Sequence, residues 1–110
     1  MRRTSLTALA REHLETAGRS PAGRSAHTVY GGHEHVLRQT LIAMTAGQVL
    51  AEHENPGEAT VHVLQGRLLL ASGEDSWNGS PGDLIAVPQA RHSLTAVEDS
   101  AVLLTVAVGL

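Results

Sequence analysis

The chain contains no cysteine, no lysine and no phenylalanine, and Tyr30 and Trp77 are its only members of the Phe/Tyr/Trp class. Without cysteine there is no disulfide framework, no thiolate metal site and no cysteine nucleophile, a composition that suits a reducing compartment. Two aromatics do not make a stacking platform for bases. The net charge of −3 disfavours a phosphate-backbone partner, so no direct nucleic-acid contact is expected. No apolar run approaches the ~20 residues that span a bilayer, so no membrane partner is expected either. Arg2-Arg3 is followed by a mixed polar segment rather than an apolar stretch, which argues against a secretory or twin-arginine signal. The expectation is a soluble, cytoplasmic protein.

What is present fits one domain. A chain of 110 residues buries a single core without disulfides or structural metal. Histidine is abundant, with His13, His27, His33, His35, His53, His62 and His92. Residues 5–17 carry Leu6, Leu9, Ala10, Leu14 and Ala17 at helical spacing. Thr4 or Ser5 stands ready as N-cap and Gly18 as terminator. The Ala-rich stripe suits packing on a sheet or on a partner subunit rather than on a membrane surface. Residues 18–25 read as a linker.

From His27 the pattern becomes β. Strands are expected over His27–Tyr30, Val36–Met44, Thr60–Leu64, Leu68–Ala71, Asp83–Val87, His92–Val97 and Ala101–Val108. Gln65-Gly66 is expected to close a tight hairpin, with further turns at Ser72–Asp75 and Asn78–Gly82. Short strands at this spacing predict a sandwich or barrel. The run AVLLTVAV at 101–108 lacks clean alternation, which predicts a strand buried on both faces, the second cover being another subunit. Trp77 is expected to be a packing anchor.

Two segments carry a more specific pattern, GQVLAEHENPGEATVHVLQG at 47–66 and PGDLIAVPQARH at 81–92. Together they resemble the two-part signature of the cupins, small antiparallel jelly-roll barrels. Gly47, His53 and Gly66 stand at motif positions, as do Gly82 and Pro88. Asn55 replaces the second His of the His-x-His pair, Ala59 replaces the Glu, and Ala90 replaces a Gly. His92 arrives one residue early, and Ala96 replaces the final Asn.

The resemblance covers about residues 36–108. It implies an all-β fold, an antiparallel cupin-type jelly-roll barrel preceded by a short N-terminal α-helix. Residues 1–25 would be helix and linker, and 26–110 the barrel. It also implies a homodimer.

In cupins two His on one strand face, a Glu and a third His close a compact N/O metal site. This chain keeps only His53 and His92 of that set. The resemblance therefore implies either no cofactor or one divalent transition metal (Fe, Mn, Ni, Cu or Zn) on His53, His92 and an unidentified ligand. Glu58 would reach the same pocket only after a register shift at Pro56-Gly57, and His62 belongs on the opposite strand face.

Pocket candidates are His53, Asn55, His92, Gln39 and Arg38. His53 and His92 are either hydrogen-bonded pocket histidines or metal ligands. Asn55 either makes a turn or contacts a ligand. Arg38 and Gln39 are neighbours on a strand, so only one faces inward: Gln39 would suit a polar substrate, Arg38 a carboxylate or phosphate. Three functions remain open: a small-molecule-binding cupin, a metal-dependent enzyme of dioxygenase or isomerase type, and a non-catalytic partner or regulatory module.

Overall fold

The computed structural model describes residues 1–53 and 57–108, with residues 51–53 described by their backbone. Its elements run α1 (Leu6–Arg19), β1 (Arg24–Tyr30), β2 (Leu37–Met44), β3 (Val49–His53), β4 (Gly57–Gln65), β5 (Leu68–Ser72), β6 (Asp75–Gly79), β7 (Leu84–Ala86), β8 (His92–Ala96) and β9 (Ser100–Val108). The strands form two antiparallel sheets, ordered β1-β2-β9-β4-β7 and β3-β8-β5-β6. This is the expected all-β jelly roll with one short N-terminal helix.

Strand alternation builds the core. Met44 of β2, Ala59, Val61 and Val63 of β4, and Val102 of β9 point inward from the larger sheet. They meet Leu68 and Leu70 of β5 and Leu94 and Ala96 of β8 from the smaller one. Each is the inward member of a period-two pattern. The opposite face of the larger sheet carries Leu41 and Ala101, which pack with Ala10 of α1.

Ser5 caps α1 by accepting the Ala8 N–H at 3.2 Å. The helix does not end at Gly18, as the sequence suggested, but continues through Arg19. Ser20 stops it: its backbone is extended, its N–H bonds the Ala17 carbonyl, and the following Pro21 disfavours a helical residue before it. Small residues set the docking distance. Ala17 is 0 % exposed, and a larger side chain there would lift the helix off the sheet.

On β9 the outer face near Ala101 is covered by α1 of the same chain.

The expected Gln65-Gly66 hairpin is absent. β4 pairs with β7 and β9, whereas β5 pairs with β6 and β8. Gln65 to Arg67 is a corner at which the chain leaves one sheet for the other. The turn signal is local, but the choice of partner strand is made by the core, which Val63 and Leu68 enter from opposite sheets. The Ser72–Asp75 turn, by contrast, does close a hairpin, with Ser72 paired to Asp75 across Gly73. Trp77 is also corrected: it lies on the edge strand β6 and is 39 % exposed, so it anchors no core. Among the described residues no helix is long and apolar enough to cross a membrane.

Candidate functional site

Among the described residues one ionisable side chain is buried in the barrel. His92 opens β8 and is 4 % exposed. Its wall is otherwise aliphatic: Ile42, Leu50, Val61, Leu70, Leu94, Val102 and Leu104 surround a cavity of about 20 Å³, room for roughly one water. Ile42, Leu50, Leu104 and Val106 pack on the core yet are only partly buried, so the barrel interior reaches solvent at this end.

The His92 ring is held in place. Its Nδ1 lies 2.9 Å from the Ala90 carbonyl oxygen. A carbonyl only accepts, so Nδ1 carries the hydrogen, and in the neutral ring Nε2 is then the acceptor. The backbone of β3 runs beside β8, and His53 is the register partner of His92. The two strands therefore bring together the two imidazole positions that the signature retains. Asn55, the third signature candidate, lies outside the described residues.

The replaced positions share this interior. Ala59 is inward and 7 % exposed, and Ala96 is inward and buried. Glu58 and His62 are the outward neighbours in the β4 alternation, so neither takes the place of the missing carboxylate. Among the described residues no three His, Asp or Glu side chains converge. A resident transition metal is held by three or four protein ligands. Of the four signature positions the sequence keeps two imidazoles, His53 and His92, fewer than that number.

Arg38 and Gln39 part company. Inward residues on β2 are even-numbered, as Ile42 and Met44 show. Gln39 therefore belongs to the outer face, where its Nε2 donates to Thr105 Oγ1 at 3.2 Å. It is not a barrel-pocket residue, because strand parity sends it with Leu41 to the helix side. Arg38 has inward parity, but it sits at the strand end. Its Nε and Nη2 donate to the carbonyls of His35 and His33 at 3.1 Å each, so the guanidinium braces the 31–36 connection. The residues that sequence reasoning missed are Ile42, Leu50 and Leu104. Their signal is the alternation itself, which sets these aliphatic side chains on the inner wall.

This architecture is that of a small cupin domain. Solved structures agree. A conserved protein of unknown function from Streptococcus pyogenes superposes with a TM-score of 0.74 at 25 % identity, over 83 % of this chain and 79 % of that one. An RmlC-like cupin protein from Desulfovibrio desulfuricans gives 0.67 at 25 %, over 76 % and 81 %. A cupin superfamily protein from Desulfitobacterium hafniense gives 0.71 at 16 %, over 78 % of each chain. No family model matches the sequence, and no curated protein matches it.

Proposed function

We propose that this cupin domain binds a small, mainly apolar molecule at the open end of its barrel, with the ligand's polar group on the His92 imidazole. The observation that carries the reading is His92 itself, a buried, oriented imidazole in an aliphatic wall. A polar group placed beside a partly open apolar rim is suited to orient a ligand. The cavity holds no more than a water as it stands. Ligand entry therefore displaces the half-buried side chains of Ile42 and Leu50 rather than filling a preformed void.

The donor set supports binding without a resident metal. A specific observation favours the second reading, a metal-dependent enzyme: the pairing of His53 with His92 across β3 and β8. Elemental analysis of the untagged protein, before and after loading with Fe, Mn, Ni, Cu or Zn, separates the two. The binding reading expects substoichiometric metal that is insensitive to His92→Ala. Near-stoichiometric metal lost in both His53→Ala and His92→Ala would transfer the proposal to the enzyme.

Restoring the absent donors gives a sharper check. The double variant Asn55→His, Ala59→Glu is expected to gain divalent metal. Without metal it should lose stability, because the new carboxylate enters an apolar interior, a change of about 1–3 kcal/mol or more. No gain in metal would show that position 59 does not share a site with His92.

A further inference from the structure

A second cleft opens on the outer face of the larger sheet, between the chain leading into α1 and strands β1, β2 and β9. Its volume is about 370 Å³, and Arg2, Leu6, Val29, Tyr30, Gln39 and Leu103 are among the residues that line it. It shares no lining residue with the His92 cavity. Strand parity keeps the two apart, since Gln39 and Leu103 are outward members of β2 and β9. We propose that this cleft binds a short aliphatic carboxylate, with its chain on the leucine and valine side chains and its head group on the Arg2 guanidinium.

Charge selects the head group. The chain as a whole is acidic, with a net charge of −3, yet the segment before Glu12 carries Arg2, Arg3 and Arg11 and no Asp or Glu. None of the residues lining the cleft is acidic, so no carboxylate there competes for Arg2. A guanidinium presents paired donors that match a carboxylate. Gln39 adds a neutral donor. Its Nε2 gives one hydrogen to Thr105 Oγ1 at 3.2 Å and has a second to give. Tyr30 stands at the rim with its ring in edge contact with His35, the centroids 5.4 Å apart, and its hydroxyl is a further donor for the same oxygens.

The floor selects the body. Leu103 is buried, and Leu6 and Val29 are half-buried, so the cleft offers an aliphatic surface below its polar rim. Arg2 is exposed, and an ion contact there is weak on its own because solvent screens it. Most of the affinity therefore comes from the chain on the floor. Full burial of a methylene tightens binding roughly fourfold, and burial on one side only about twofold. Lengthening acetate to hexanoate should thus tighten binding roughly tenfold.

The test is NMR titration of the ¹³C-methyl- and ¹⁵N-labelled full chain with sodium acetate, butanoate and hexanoate at one low ionic strength. Saturable shifts are expected at the Leu6, Val29 and Leu103 methyls, tightening along the series. Hexan-1-ol, which keeps a six-carbon chain without the charge, should bind this cleft roughly fivefold more weakly than hexanoate. Arg2→Gln, at an exposed position whose change does not threaten folding, should weaken hexanoate by about the same factor. His92→Ala should leave these shifts unchanged, which separates the cleft from the barrel end. No saturable shift at these methyls, equal affinity for hexan-1-ol, binding undiminished by Arg2→Gln, or shifts lost in His92→Ala would overturn the proposal.

Discussion

Gly66→Val lowers the stability of this protein by about 3 kcal/mol, and the melting temperature by roughly 12 °C. Gly66 sits at the corner where the chain passes between sheets, with φ +84°. An L side chain in that region costs about 1–2 kcal/mol, because Cβ crowds the following carbonyl. Here the crowding is also tertiary. A Cβ on Gly66 would meet the Asp99 carbonyl oxygen and Ser100 Oγ, and would stand 2.8 Å from Ser100 Cα.

Those atoms cannot yield easily. Ser100 is buried, and its Oγ lies 2.9 Å from the Arg67 carbonyl oxygen and 2.8 Å from that of Glu98. Val97 N–H donates to the same Arg67 carbonyl at 2.9 Å. The β8–β9 connection is therefore tied to the β4–β5 corner, and a side chain at Gly66 pushes both apart. Gly18→Ala is the matched control. Gly18 lies within α1, and a Cβ there meets nothing within 4 Å. Alanine should stabilise by about 0.5–1 kcal/mol through helix propensity. Equal melting of Gly66→Val and the parent chain would remove the corner from the account.

Removing residues 1–20 has an effect at least as large. Leu41 is 0 % exposed and packs with Ala10 and Ala101, flanked by Leu9, Leu14, Val29 and Leu64. Without α1 this face of β2 and β9 meets water. Exposing one leucine costs about 1.5–3 kcal/mol, and the neighbouring aliphatics add to it, so a loss of roughly 3–5 kcal/mol is expected from urea unfolding midpoints. The uncovered patch should also promote association. Ala17→Arg tests the same contact in the full chain, since a guanidinium has no room between helix and sheet. An unchanged midpoint in both would show that the helix contributes nothing to the barrel.

The legible part of the fold follows from local rules. Period-two alternation placed β2, β4, β8 and β9 close to their observed limits, and Gly66 and Gly82 marked true turns because the backbone there takes positive φ. The signature also assigned Ala59 and His92 to one interior, as the inward parity of β4 and β8 confirms. What escaped was non-local. Whether a turn at Gln65-Gly66 pairs its flanking strands or parts them depends on where the core lies. Whether Gln39 or Arg38 faces inward depends on which of two cores, barrel or helix side, claims Leu41 and Ile42. The end of α1 depended on the residue before Pro21 rather than on Gly18. Trp77 has the residue type of an anchor, but the edge position of β6 leaves it partly exposed.

The barrel-end site is tested most directly by NMR titration of EDTA-treated, ¹³C-methyl- and ¹⁵N-labelled protein with butanol, cyclopentanol and cyclohexanol, repeated in His92→Ala. These probes pair an aliphatic body with one hydroxyl that donates to an imidazole nitrogen. The account predicts saturable shifts at Ile42, Leu50, Leu94, Leu104 and the His92 ring, present without metal and lost in the variant. Shifts that arise only after a divalent metal is added, or that fall away from these residues, would contradict it.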